Sequence, residues 1–297
     1  MTARGPYTLS DEIARFIAEM NDPFVHRLLE HLRTFSDVTM RHVTTKSAAL
    51  LYISDQKFQE LGAKLGTPEK INRLTISHVV RMTEAFRVSS VLRATEHLKS
   101  SIWNLNARQF VAAAPSVRAM TELTVQNLDG ANTVYHYLKN LKWDLFNHTI
   151  LLLSGKEGEE SLNDYVDKLY FGTRREAHLL GPHLQQTNIL TVLKRMSKKL
   201  KDAAGHDVLE KYEYVCELVH PNRAGFEIFV GPVERVDGYW ERYPIAIDSA
   251  TGRTAEVLEY LLWLLSFSVG TLLSVQAVYN EINLLVHRQI GSLYPKP

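Results

Sequence analysis

The apolar positions of this chain recur at a helical period, and the boundaries of the runs carry recognisable start and stop signals. Ser10 stands as a cap ahead of DEIARFIAEM and predicts a helix to about Met20. Asp22-Pro23 pairs a capping side chain with proline at the first helical position, opening PFVHRLLEHLRTF. A short helix follows Ser54 and stops near Gly62 to Gly66. Thr67-Pro68-Glu69 repeats the start signal and opens a long helix to about Trp103, with Ile71, Leu74, Met82, Ala85 and Leu92 on one face. Proline deep in a helix breaks its hydrogen-bond ladder, so Pro115 is expected to start the next helix, which runs to residue 153 with a bend at Gly130. The segment SGKEGEES (154–161) reads as a loop. Helices at 162–170, 174–180, 187–204 and 206–219 follow, the last stopped by Pro221, which pushes the residue before it out of the α region.

One stretch changes period. In 226–247, aromatic and β-branched residues flank Asp237-Gly238, a dipeptide suited to a two-residue hairpin turn, while Pro232 and Pro244 restrict the strands to edges. A C-terminal helix from about Thr254 to His287 completes the pattern. With no internal repeat, the expected fold class is mainly all-α: a multi-helix bundle with one inserted β-hairpin at 226–247. The expected organisation is a single helical domain over 1–297, with 1–66 as an N-terminal helical subregion packed on the main bundle.

Composition narrows the class. From Tyr260 to Val275 no residue carries a formal charge, but the run falls short of the roughly 20 residues a membrane span needs. Glu256 and Glu259 before it, and Glu281 after it, favour a buried core helix. Thirty-four Lys and Arg against 33 Asp and Glu give a net charge of +1, so no global field draws the chain to nucleic acid or anionic lipid. Cys216 stands alone, which excludes an intramolecular disulfide and a multi-cysteine zinc site. The expectation is a soluble cytoplasmic protein with no membrane contact. The phosphate-loop, dinucleotide, hydrolase-elbow, zinc-protease and EF-hand signatures are absent, and no cofactor is expected.

Four features carry candidate chemistry. In YEYVCELVHPN, Glu213, Glu217 and His220 fall at i, i+4 and i+7, so two carboxylates and an imidazole share one side of a helix. Glu217-x-x-His220 has the spacing of carboxylate-bridged metal bundles, which need a second such pair that this chain lacks; a helix-terminal histidine tied to its neighbours is the competing reading. Arg118 and Glu122 lie one turn apart and suit either a salt bridge or a catalytic pair. In LKRMSKKLK, Lys194, Arg195, Lys198, Lys199 and Lys201 form a basic face that could hold RNA phosphate, or simply complement a helix C-terminus. Arg73-LTIS-His78 has the spacing of helical ribonucleases, although His78 falls on the apolar face beside Leu74 and Met82, where a core histidine would sit.

APSVRAMTEL, followed about a hundred residues later by YEYVCELVHPN, resembles bacterial all-helical proteins around the HEPN superfamily. The resemblance covers about residues 110–225. It implies a helical bundle, homodimerisation and metal-independent RNA cleavage in phage-defence or toxin systems, with Arg118, Glu122, Tyr212 and His220 at the matching positions. The sequence departs from the active pattern: at the positions separated from His220 by four to six residues stand Val215, Tyr214 and Glu213 instead of an arginine. Two functions stay open, an RNA-binding or RNA-cleaving effector and a non-catalytic helical binding or regulatory protein.

Overall fold

The computed structural model describes residues 7–43, 57, 60–61, 63–64, 68–139, 143–144, 149–150, 162–172, 188–204, 207–220, 229, 234–236, 240–242 and 252–293. The fold is all-α. Its helices are α1 (Asp11–Glu19), α2 (Pro23–His26), α3 (Leu28–Val43), α4 (Pro68–Asn106), α5 (Phe110–Lys139), α6 (Leu162–Phe171), α7 (Ile189–Ala204), α8 (Val208–Val219) and α9 (Gly252–Leu293). Two short antiparallel backbone pairings accompany them, Trp143–Asp144 with Thr149–Ile150 and Glu234–Val236 with Trp240–Arg242. The hairpin expected at 226–247 is not shown: most of that segment, including the Asp237-Gly238 turn, lies outside the described residues. So do the 154–161 loop, the 174–180 helix and most of the helix expected after Ser54.

Local chemistry explains most boundaries. Ser10 Oγ accepts the Ile13 amide at 3.3 Å, and Asp11 and Glu12 place negative charge at the start of α1. Asp22 caps α2 through the Phe24 amide, and Asp207 caps α8 through the Leu209 and Glu210 amides. His220 leaves the helical region at ψ 145°, as the following proline requires.

Three boundaries differ from expectation. The helix after Asp22 breaks at Arg27, a single turn residue between α2 and α3. Pro115 lies inside α5 rather than at its start. Its exposure explains the tolerance: the Val111 carbonyl, deprived of its ladder donor, can be hydrated, while Ala113 and Ala114 beside it are fully buried. Finally, α5 ends at Lys139 instead of reaching 153, and Trp143–Asp144 pairs with Thr149–Ile150 where the expected helix would continue.

The chain divides into two compact units. The first takes Met1–Arg41, Arg93–Val125 and Ile189–Thr271. Its core is built on the uncharged run of α9, where every residue from 261 to 269 is buried. Leu28, Leu32, Phe35 and Thr39 of α3 recur at i, i+4, i+7 and i+11 and are buried. Small hydroxyl residues join α5 to α9: Thr121 Oγ1 lies 3.2 Å from Ser268 Oγ, and Thr124 Oγ1 donates to the Ser268 carbonyl at 3.4 Å. The second unit takes His42–Leu92, Gln126–Asn188 and Leu272–Pro297. Its core gathers Ile76, Val79, Met82, Val134, Leu162 and Tyr279. Gly130 lies there inside α5, where an added Cβ would stand 2.9 Å from Leu169 of α6, so its smallness serves close helix packing. The buried face of α4 in this unit runs through Ile76, Val79, Met82 and Phe86, while Leu92, expected inward, is 44% exposed. His78 is a core histidine with its Nε2 3.4 Å from Asp167 Oδ1.

By length and composition, Thr254–Val286 of α9 is apolar enough to cross a membrane; 61% of its 18-residue apolar window is buried within the protein.

Candidate functional site

Three of the four candidate residues, Arg118, Glu122 and Tyr212, meet in the first unit. Arg118 and Glu122 sit one turn apart on α5, and Arg118 Nε donates to Glu122 Oε1 at 2.8 Å. Tyr212 comes from α8, where it shares the buried face with Val208, Val215 and Leu218. Its hydroxyl donates to the same carboxylate oxygen at 2.6 Å. The Arg118 guanidinium carbon lies 5.9 Å from the centroid of the Tyr212 ring, so the arginine touches both the anion and the π face. Tyr212 is 1% exposed, whereas the Arg118 and Glu122 side chains are each 32% exposed.

The electrostatics favour a fixed charge state. The hydrogen bond to Glu122 pushes the Arg118 pKa up, so the guanidinium stays charged. Burial, then the bond to Glu122, pushes the Tyr212 phenol up, so it remains a donor. Burial also raises the Cys216 thiol, which lies one turn from Tyr212, and keeps it from acting as a thiolate. His97 of α4 has its pKa lowered, first by burial and then by Arg93, against an opposing pull from Glu122.

The fourth position stands apart. His220 ends α8 eight residues beyond Tyr212, about 12 Å along the axis at 1.5 Å per residue. It is exposed, as are Glu213 and Glu217, so the three groups share the solvent-facing side of α8. Among the described residues no three His, Cys, Asp or Glu side chains gather as a metal site. On α7, Lys194, Arg195 and Lys201 are exposed while Val192, Leu193 and Met196 are buried. Lys201 Nζ lies 3.6 Å from Asp207 Oδ2, at the start of α8. The side chains of Lys198 and Lys199 lie outside the described residues, as does that of Arg73.

Sequence reasoning missed two features of this unit. The turn from α4 to α5 is closed by Gln109 N–H to the Asn104 carbonyl at 2.8 Å and Arg108 N–H to the Leu105 carbonyl at 2.9 Å. That pattern places the capping residue in the left-handed region usually held by glycine, yet Arg108 occupies it at φ 56°. Its side chain pairs with Glu12 on the rim of a 380 Å³ recess that also includes Arg15, Phe16 and Phe110. None of the candidate residues lines it. The second feature is the placement of the Lys211 ammonium over two rings of α9; only the i, i+3 spacing of Tyr260 and Trp263 hints at it in the sequence.

The chain matches no protein-family model, no curated protein and no solved structure. Functional assignment therefore rests on the geometry of the chain itself.

Proposed function

We propose that this chain is a non-catalytic helical binding or regulatory protein in which Arg118, Glu122 and Tyr212 form a structural clasp between α5 and α8. The observation that carries this reading is the double occupation of Glu122 Oε1, by Arg118 at 2.8 Å and by Tyr212 at 2.6 Å. A general acid or base needs a lone pair or proton directed at substrate, and here both donors converge on one carboxylate oxygen. Arg118 is engaged with Glu122 through Nε, and His220 stands eight residues beyond Tyr212 on α8, which supports a structural role for the pair. Within this reading, the 226–247 segment is a hairpin turning at Asp237-Gly238 and offers the contact surface. The buried centre of α9 does not. Purified wild type, Arg118→Ala and His220→Ala test it, with RNA cleavage and melting temperature read in parallel. No cleavage by any of the three, with a lowered melting temperature for Arg118→Ala, is the expected result.

The exposed cations of α7 support a second reading, an RNA-binding effector of HEPN type. In it the basic face holds the phosphate backbone and a homodimer brings two such faces together. It expects RNA affinity that falls steeply with salt.

A further inference from the structure

Lys211 of α8 is partly exposed and lies among carboxylates, yet among the described residues none ion-pairs with it. Its ammonium instead lies over two aromatic faces of α9, 4.4 Å from the Tyr260 ring centroid and 5.3 Å from that of Trp263. Tyr214, also on α8, meets Tyr260 edge-on at 4.6 Å and 65°. The deeper ring is held firmly: Trp263 is fully buried and stacks on Phe267 at 5.8 Å and on Phe24 of α2 at 4.9 Å. Tyr260 is partly exposed, so a firmly held inner ring is paired with an outer ring that meets solvent.

The surroundings suit a cation. Glu256 and Glu259 on α9 and Glu210 on α8 are exposed around Tyr260, and after burial their charges are what push its phenol pKa up. Among the described residues, three carboxylates against one lysine leave a net negative field around Tyr260. Aromatic faces attract cations through the ring quadrupole, most strongly when the cation sheds its water cheaply. A primary ammonium is strongly hydrated, and a free one must compete with Lys211, which is tethered at high effective concentration. A cation with no N–H groups loses less hydration on entering and gains the same ring faces.

We propose that the ring pair of Tyr260 and Trp263 is a recognition site for a small quaternary ammonium ligand, and that Lys211 is its built-in competitor. The site is separate from the Arg118 clasp, so the inference goes beyond the reading above and does not depend on it. Ligand entry swings Lys211 off the rings into solvent, which couples occupancy to the exposed face of α8. Lys211 thus covers the rings in the absence of ligand and reports when it is displaced.

The test uses choline chloride as probe, with potassium chloride at equal ionic strength and ethanolamine as controls. In ¹³C-labelled wild type, the Lys211 ε-methylene signal should start upfield, from the ring currents, and move saturably towards the free-lysine position with choline. Potassium chloride should leave it in place, and ethanolamine should act more weakly. Lys211→Met, which removes the competitor, should bind choline about 3- to 30-fold more tightly by calorimetry, the range expected when a contact of cation–π strength is deleted. Adding Tyr260→Leu to that variant should abolish binding. The proposal is overturned if choline moves the wild-type Lys211 signal no more than potassium chloride does, or if binding to Lys211→Met survives Tyr260→Leu. Should Lys211→Met fail to fold, the wild-type displacement titration decides alone.

Discussion

Replacing Tyr212 by phenylalanine removes one oxygen from a buried ring and leaves its packing against α8's neighbours in place. The lost bond is a 2.6 Å hydrogen bond to a carboxylate. Hydrogen bonds to charged groups contribute about 1.5–3 kcal/mol. Glu122 is one-third exposed, so water partly replaces the phenol, and the lower end, about 1.5 kcal/mol, is expected. The Arg118 to Glu122 ion pair spans i, i+4 with both side chains one-third exposed and contributes only about 0.3–0.5 kcal/mol. The order of costs is therefore Glu122→Ala greater than Tyr212→Phe greater than Arg118→Lys. A double-mutant cycle on Tyr212→Phe and Glu122→Ala, read by urea unfolding at pH 7, should give a coupling energy of about 1–1.5 kcal/mol. The Tyr212 contribution is present below the ordinary tyrosine pKa of about 10 and is lost only as pH rises through the higher folded value, so the coupling should be flat from pH 6 to pH 9. Coupling below about 0.3 kcal/mol would refute the clasp, because the two substitutions would then add independently, as residues sharing a hydrogen bond do not.

Other outcomes follow from single contacts. Gly270→Ala would place a Cβ 2.6 Å from His31 Cε1 and 2.9 Å from its Nδ1, so thermal unfolding should show a loss of about 1–3 kcal/mol that His31→Ala in the same chain partly restores. Arg108→Gly relieves a left-handed backbone at the cost of an exposed ion pair with Glu12, and should stabilise by about 0.5–1 kcal/mol in urea. His31 and His97 both have pKa values lowered by burial, so the unfolded state binds protons first. Stability should fall as pH drops below about 6.5, by at most about 1.4 kcal/mol per pH unit for each histidine. His31→Gln should remove part of that slope in unfolding midpoints measured between pH 5 and pH 7. If the α7 face holds RNA, replacing Lys194, Lys198 and Lys201 together should weaken binding equally across sequences and flatten its salt dependence in filter-binding assays.

Helix starts were legible because caps are local: Ser10, Asp22-Pro23 and Pro68 each act within one turn of themselves, and Pro221 stops α8 for the same reason. The Arg118 and Glu122 pair was legible as an i, i+4 spacing. Features set by tertiary context were not. Pro115 sits inside α5 because its side is exposed, which the sequence alone does not reveal. The face assigned to α4 went astray at Leu92, since an apolar stripe on a long helix can drift from one neighbour to the next. Tyr212 was singled out by resemblance, but its bond to Glu122 joins residues 90 positions apart. Lys211 was not singled out at all: its ring partners lie on α9, and its own helix offers them no spacing signal.

The most direct test of the clasp against an active site is to follow a labelled single-stranded RNA with purified wild type, Arg118→Ala and His220→Ala while recording each melting temperature. The account predicts intact RNA throughout, a lowered melting temperature for Arg118→Ala and little change for His220→Ala, whose side chain is exposed at the end of α8. Cleavage by wild type that both substitutions abolish, with melting temperatures unchanged, would contradict it.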